Sequence, residues 1–310
     1  MKPNARAILD DDFRFHVEAD DGKADAALWC RRGPVLPGER LGVIGNFSAT
    51  SAVAAAEVLA CALKQLRFMG GTMAIGPMNG STWRDYRFVT DPGTTPAFFM
   101  EPANPPEWPA WWRAAGFTPL AEYFSTATDD LGKRDPRVAE VAARMIAGGL
   151  TIRALDVARF EEELNRIYDV SAVSFQPNFL YSPIAREEFL GQYRALKERV
   201  RPELVLIAEE KGQPVGYVFA LPDFATADKK GRTTTAIVKT LAVLPGRRWA
   251  GLGALLLAEV HEAMRRLKFK RAIHALMHET NASRNLSAHY TTTIRRYTLF
   301  GLRLTGNSAM

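Results

Sequence analysis

One stretch constrains the fold of this chain more than any other: the apolar run Leu241-Ala242-Val243-Leu244 passes through Pro245 and Gly246 into Arg247-Arg248-Trp249-Ala250-Gly251-Leu252-Gly253. It reads as a strand that enters a glycine turn and opens a helix. Arg248, Gly251 and Gly253 fall at R-x-x-G-x-G spacing, which lets main chain approach a pyrophosphate while the free N–H groups of a first helical turn point at its oxygens. The helix is legible too, since Leu252, Leu255, Leu256, Val260, Met264 and Leu267 share one face of residues 252–268. Two commoner phosphate loops fail on named residues. A dinucleotide loop needs a carboxylate ending the next strand, where this chain has Arg271-Ala272-Ile273-His274. A Walker loop needs Gly-Lys-Ser/Thr, and Gly253 is followed by Ala254 and Leu255.

The segment resembles the acyl-CoA-binding motif of the GCN5-related N-acetyltransferases (GNAT), a V-x-P strand end followed by Q/R-x-x-G-x-G/A and a helix. Val243, Pro245, Arg248, Gly251 and Gly253 carry the match. The second half also follows the family's order of elements: a strand at 151–155, helices near 157–170 and 186–200, and strands at 204–210, 214–221 and 234–244. After the cradle helix come a strand at 271–278, Asn281, a helical stretch and a last strand near 299–304.

The first half repeats pieces of the second. Ala56-Glu57-Val58 recurs as Ala258-Glu259-Val260, Leu66-Arg67-Phe68 as Leu267-Lys268-Phe269, and Asn79-Gly80-Ser81 as Asn281-Ala282-Ser283, at offsets of 202, 201 and 202. The expected fold is therefore α/β with a mixed sheet, built from two tandem acetyltransferase-like domains. Residues 1–128 form a degenerate copy, 129–149 a linker with a short helix that starts at Pro136 and ends at Gly148-Gly149, and 150–310 the acyl-CoA-binding copy. The first copy reads Val43-Ile44-Gly45-Asn46-Phe47-Ser48-Ala49-Thr50-Ser51 where the cradle belongs, without R-x-x-G-x-G. Its helix from Ala52 is apolar up to Leu63 and is expected to be buried on most sides, with Ser48, Thr50 or Ser51 as cap.

Charge divides the halves in the same way. Residues 1–150 carry 16 Lys+Arg against 18 Asp+Glu, and residues 151–310 carry 24 against 16. A basic half suits a ligand with several phosphates. The positive residues lie scattered over predicted helices, without a basic tail or an aromatic-interleaved stripe, so nucleic acid is not the expected partner. At 310 residues the chain has room for two cores. The longest apolar run, 52–63, is too short to span a bilayer and contains Glu57, and the amino terminus leads into Asp10-Asp11-Asp12. A cytoplasmic protein without a membrane segment is expected. Cys30 and Cys61 make no metal or redox spacing, and His274 and His278, four apart on one strand and so on one face, lack a third ligand; no metal is expected.

The resemblance implies direct attack of an amine on the thioester of acetyl-CoA as cosubstrate. Main chain at Leu241 and Val243 is to pair with the pantetheine arm, Arg248, Trp249, Ala250, Gly251, Leu252, Gly253 and Ala254 to hold the pyrophosphate, and Asn281 to complete the cofactor site. A tyrosine on the helix after the Asn serves the family as acid to the departing thiolate. Tyr290 is the first candidate and Tyr297 the second, although their spacing departs from the family pattern. The strand before the cradle lacks the carboxylate that often acts as base and has Lys239 and Thr240 instead, which leaves His289, a water chain or a first-half residue for that role. Glu209 and Glu210 end a strand and are expected to be solvated. Gly76 to Trp83, with Tyr86 and Arg87, is a candidate for recognising a small-molecule or peptide amine; Trp108, Trp111 and Trp112 are expected to pack the domain. A non-catalytic acyl-CoA-binding regulator is the alternative, and a tRNA-dependent aminoacyl transferase a third reading against which R-x-x-G-x-G argues.

Overall fold

A strand that is apolar on both faces has to be covered on both faces, and residues 213–222 show the rule: Val215, Val218 and Ala220 meet one helix layer, Tyr217, Phe219 and Leu221 the other. The computed structural model describes residues 5–7, 15–18, 22–30, 33–280 and 289–304. In chain order its elements are β1 (Ala5–Ala7), β2 (Phe15–Glu18), β3 (Ala24–Trp29), β4 (Leu41–Ala49), α1 (Ala52–Phe68), β5 (Met73–Gly76), β6 (Phe88–Asp91), α2 (Trp108–Ala114), β7 (Thr118–Thr128) and α3 (Val138–Ala147). The second half continues with β8 (Leu150–Ala154), α4 (Phe160–Ser174), α5 (Arg186–Arg194), β9 (Val205–Glu210), β10 (Gln213–Pro222), β11 (Thr235–Val243), α6 (Leu252–Arg266), β12 (Arg271–His278) and β13 (Thr292–Arg303).

The strands join one sheet in the order β1-β2-β3-β4-β5-β13-β7-β12-β11-β10-β9-β8, with β6 paired to β13. The sequence repeat appears as a repeated unit of three antiparallel strands, a helix, and a strand parallel to the third: β2–β4, α1 and β5 in the first half, β9–β11, α6 and β12 in the second. Beyond that the halves exchange their ends. β7 of the first half pairs with β12, while β13 of the second runs between β5 and β7. Each half thus supplies the strand that continues the other's sheet, which removes two edges that would otherwise be open.

Local chemistry accounts for the helix ends. Ser51 caps α1, its side chain accepting the Ala54 N–H at 3.2 Å. Only one side of α1 is covered, contrary to the expectation from its apolar run: Ala55, Val58, Leu59, Ala62 and Leu66 are buried, while Val53 and Phe68 are exposed. One sheet and α2 can bury one stripe of a helix, and the alanines on the other side tolerate water. Trp108 and Trp112 pack edge-on against Phe47 and Phe88 with ring centroids 5.1 to 5.9 Å apart, so they build the first core.

Candidate active site

β11 and β12 are hydrogen-bonded only from Thr235↔Arg271 to Val238↔His274. Past that pair both strands are irregular. The register of β11 against β10 jumps from Val238 to Thr240, leaving Lys239 as the extra residue of a bulge, and β12 slips against β7 between His274 and Met277, with Leu276 at φ 61°. Bulges bend strands and re-aim side chains. Here they part the two strands, and among the described residues the edge of β11 from Lys239 to Val243 has no strand partner on the β12 side. The first half closes the corresponding gap with its own main chain. Met78 donates its N–H to Ile44 at 2.9 Å, Asn79 Oδ1 accepts the Asn46 N–H at 2.7 Å, and a Cβ on Gly45 would lie 2.1 Å from the Met78 carbonyl oxygen.

The open gap leads in one direction to the start of α6. Gly251 there has φ 94°, a left-handed conformation that favours glycine, and no side chain caps the helix. The first-turn N–H groups and the positive end of the dipole face outward. The linker helix α3 supports this turn: Arg144 donates to the Ala250 carbonyl at 2.6 Å, and a Cβ on Gly251 would sit 2.7 Å from Val141 Cγ2. Arg248 stacks over Trp249 at 4.9 Å and forms an ion pair with Glu210, so its charge is compensated before any ligand arrives. Neither carboxylate ending β9 is simply solvated, as the sequence suggested. Burial pushes the Glu209 carboxyl up, yet Arg153 at 2.6 Å and Arg166 outweigh it and hold it below its ordinary value.

In the other direction the gap opens into a cavity of about 1060 Å³ between the halves. Leu241 and Leu257 line its throat; Arg87 and Tyr123 come from the first half, Phe175 and Tyr193 from the second. Glu101 also lines it, held by Arg295 Nε at 2.6 Å and by the Tyr297 hydroxyl at 2.6 Å. Arg295 fixes the preceding loop by donating to the carbonyls of Pro92, Thr95 and Pro96. The bulged Lys239 points into the cavity, donating to the Met100 carbonyl at 3.1 Å, and burial followed by the Arg87 charge lowers its pKa to about 8. His278 lines the same wall.

The strand slip in β12 overturns the expectation that His274 and His278 share a face, because one extra residue moves everything beyond it to the other side. His274 turns toward α6, where its Nε2 lies 3.0 Å from His261 Nε2, and His278 turns toward Tyr123 and Phe179. Burial lowers the pKa of His261 to about 4; burial and His261 lower that of His274 to about 3. Among the described residues no group of three potential metal ligands occurs.

The candidate acids separate. Tyr297 stands in the middle of β13 and not on a helix; it is fully buried, and burial together with its bond to Glu101 raises its pKa. Neither Tyr297 nor Tyr290 is part of the cavity wall. Tyr290 lies edge-on to His261 with centroids 6.3 Å apart, one helical turn from Leu257, and burial followed by Asp135 pushes its pKa up to about 12. His289 is exposed and near Asp135, whose carboxyl is held below its ordinary value chiefly by its hydrogen bonds from Arg137 and only last by His289. Asn281 lies outside the described residues. Sequence reasoning missed Glu101 and Tyr123, whose partners lie over 150 residues away in the chain.

Comparison with known proteins places this geometry. Residues 164–290 match the acetyltransferase (GNAT) family. A 173-residue stretch is 26% identical to a bacterial ceramide synthase of Caulobacter vibrioides (strain NA1000 / CB15N), covering 54% of this chain and 44% of that protein, so the match spans less than half of the relative's length. Among solved structures, a GCN5-related N-acetyltransferase from Sphaerobacter thermophilus superposes with a TM-score of 0.52 at 14% identity, over 96% of this chain and 82% of the other. The GCN5-related glucosamine N-acetyltransferase region of a fungal multi-domain GH3 β-N-acetylglucosaminidase gives 0.51 at 13% identity, over 93% and 33%. Residues 164–290 thus carry an acetyltransferase (GNAT) domain. The mixed α/β architecture is that of solved GNAT proteins, and no helix among the described residues is long and apolar enough to cross a membrane.

Proposed function

We propose that the protein is an acyl-CoA-dependent N-acyltransferase that moves an acyl group from the CoA thioester to a primary amine in one step. The observation that carries this reading is the gap beyond Val238 and His274, with an uncapped helix start at one end and a cavity between the halves at the other. In the second half an acyl-CoA has a place to lie: phosphates on the N–H groups from Leu252 to Ala254, pantetheine along the free edge of β11 at Leu241 and Val243, thioester at the throat. In the first half the same path is filled by Met78 and Asn79.

In the reaction the amine nitrogen bonds to the thioester carbon, an N–H near Leu241 donates to the developing oxyanion, the C–S bond breaks, and the proton shed by the amine ends on the thiolate sulfur. Tyr290, kept protonated by its raised pKa, is the proposed donor to that sulfur. Acetyl-CoA is the donor implied by the family. The cavity lies at the upper end of the volume range of small-molecule sites and has room for a longer chain. A ceramide is itself an N-acylated amine, so the name of the Caulobacter relative fits formation of the same bond. A protein in the cytoplasm acting on a small-molecule or peptide amine completes the proposal.

The test is calorimetric titration of the full chain with acetyl-CoA and palmitoyl-CoA, followed by thiol release on addition of amines. Gly253→Trp is the control variant, because Gly253 has no left-handed φ, whereas a side chain at Gly251 would collide with Val141 whether or not a ligand binds. Saturable binding that Gly253→Trp removes is the expected result, and binding of neither donor sinks the proposal. Binding without amine-dependent thiol release would favour the regulator; release unaffected by Tyr290→Phe across the pH range would remove Tyr290 as acid.

A further inference from the structure

Two side chains on the cavity wall each bury an N–H that has no acceptor among the described residues. Arg87 is 7% exposed, its Nε has no hydrogen-bond partner, and its Nη1 reaches only the Leu276 carbonyl at 3.4 Å. Among the described residues it forms no ion pair. The guanidinium lies over Tyr86 at 4.0 Å and Tyr123 at 4.3 Å, with Tyr297 at 5.8 Å. Such contacts engage the flat face of the group and leave most of its edge of N–H donors unused. His278 packs on the same Tyr123 ring at 4.8 Å, and its Nε2 is likewise buried and unpartnered. Its Nδ1 accepts the Thr280 N–H at 3.2 Å, which in the neutral ring puts the proton on Nε2; burial, then the Arg87 charge, keeps the ring neutral.

Nearby acids form no ion pair with Arg87. Glu101 is taken by Arg295 and Tyr297, Asp85 stands at the exposed mouth, and the exposed Glu279 acts on the neighbouring His278. A third donor, Lys239, lines the same cavity. A buried cation whose hydrogen-bonding edge is empty is unfavourable in the free protein, and such a feature is tolerated where a ligand completes it. The cofactor's phosphates do not reach it, because they belong at the start of α6 on the far side of the sheet.

We propose that Arg87, with the His278 Nε2–H beside it, binds an anionic group, a carboxylate or a phosphate ester, carried by the amine that is acylated. This rests on the acyltransferase reading and adds to it the class of acceptor: an amine with a negative charge elsewhere in the molecule, not a simple alkylamine.

Calorimetry on the full chain with hexanoate, hexyl phosphate and hexanol tests it. One of the two anions is expected to bind the wild type at least about ten-fold more tightly than hexanol, and the one that does names the group. Arg87→Met should abolish that preference and Arg87→Lys weaken it, while both still bind acetyl-CoA. Arg87→Met should also melt no lower than the wild type, since it removes an uncompensated cation. Equal binding of hexanol and both anions overturns the proposal, as does a preference retained in Arg87→Met together with its lowered melting temperature, which would make Arg87 a packing residue. Anion preference without acyl-CoA binding in the wild type would instead sink the acyltransferase reading and leave this site standing.

Discussion

Lowering the pH from 7 to 5 should destabilise the protein by about 4 kcal/mol through His261 and His274 alone. Both rings are essentially buried, at 1% and 4% exposure, and each has a folded-state pKa well below its ordinary value of 6.5, at about 4 and about 3. Above 6.5 folded and unfolded chains both hold these rings neutral, and the stability is fully present. Below 6.5 the unfolded chain takes up protons that the folded chain refuses, so stability falls at about 1.4 kcal/mol per pH unit per histidine. Over the interval from 6.5 to 5 this comes to about 2 kcal/mol each. The figure does not depend on how far below 5 the folded values lie. Urea unfolding at the two pH values, followed by circular dichroism and tryptophan fluorescence, reads the loss as a lowered midpoint, by about 1 to 2 M for a slope near 3 kcal/mol/M. His261→Leu/His274→Leu should lose this part of the pH dependence, and His261→Gln, which keeps a hydrogen-bonding partner for His274, about half of it. His278 titrates in the same direction and stays in all the proteins, so it cancels in the comparison. The same loss between pH 7 and 5 in wild type and double variant would refute the reasoning.

Two further predictions concern stability. Gly251→Ala should cost about 1–3 kcal/mol, from the left-handed φ and the overlap with Val141; Val141→Ala added to it should restore only the overlap part, as measured by the urea midpoint. Arg295→Met should cost about 3–5 kcal/mol because it strands a buried carboxylate, and adding Glu101→Gln should recover a portion of the lost melting temperature; a double variant no better than the single one would mean that the loop carbonyls, not Glu101, dominate.

What could be read from the residues was local. Strand, turn and helix around Gly251 follow from short-range patterning, and the elements from Leu150 to His278 lie within a few residues of where periodicity puts them. The repeat was legible as well, since Ala56-Glu57-Val58 and Ala258-Glu259-Val260 fall in α1 and α6, helices with the same place in each half. The exchange of β7 and β13 was not legible: it is decided by which strand covers which edge, and pairs such as Tyr297↔Tyr123 join residues far apart in the chain. The bulges were equally silent, because Lys239 and Leu276 are ordinary residues whose effect comes from a one-residue mismatch with a neighbour. Yet these two slips make the site. They part β11 from β12, turn His278 away from His274 and bring it against the Tyr123 ring that also carries Arg87. The first half slips in the same place, with Asn46 at φ 45°, but there Asn79 fills the gap and both asparagines become cavity wall. Each half thus carries the same irregularity in the same place. One remains open beside an uncapped helix, and the other, closed by its own chain, lines the pocket into which the first one leads.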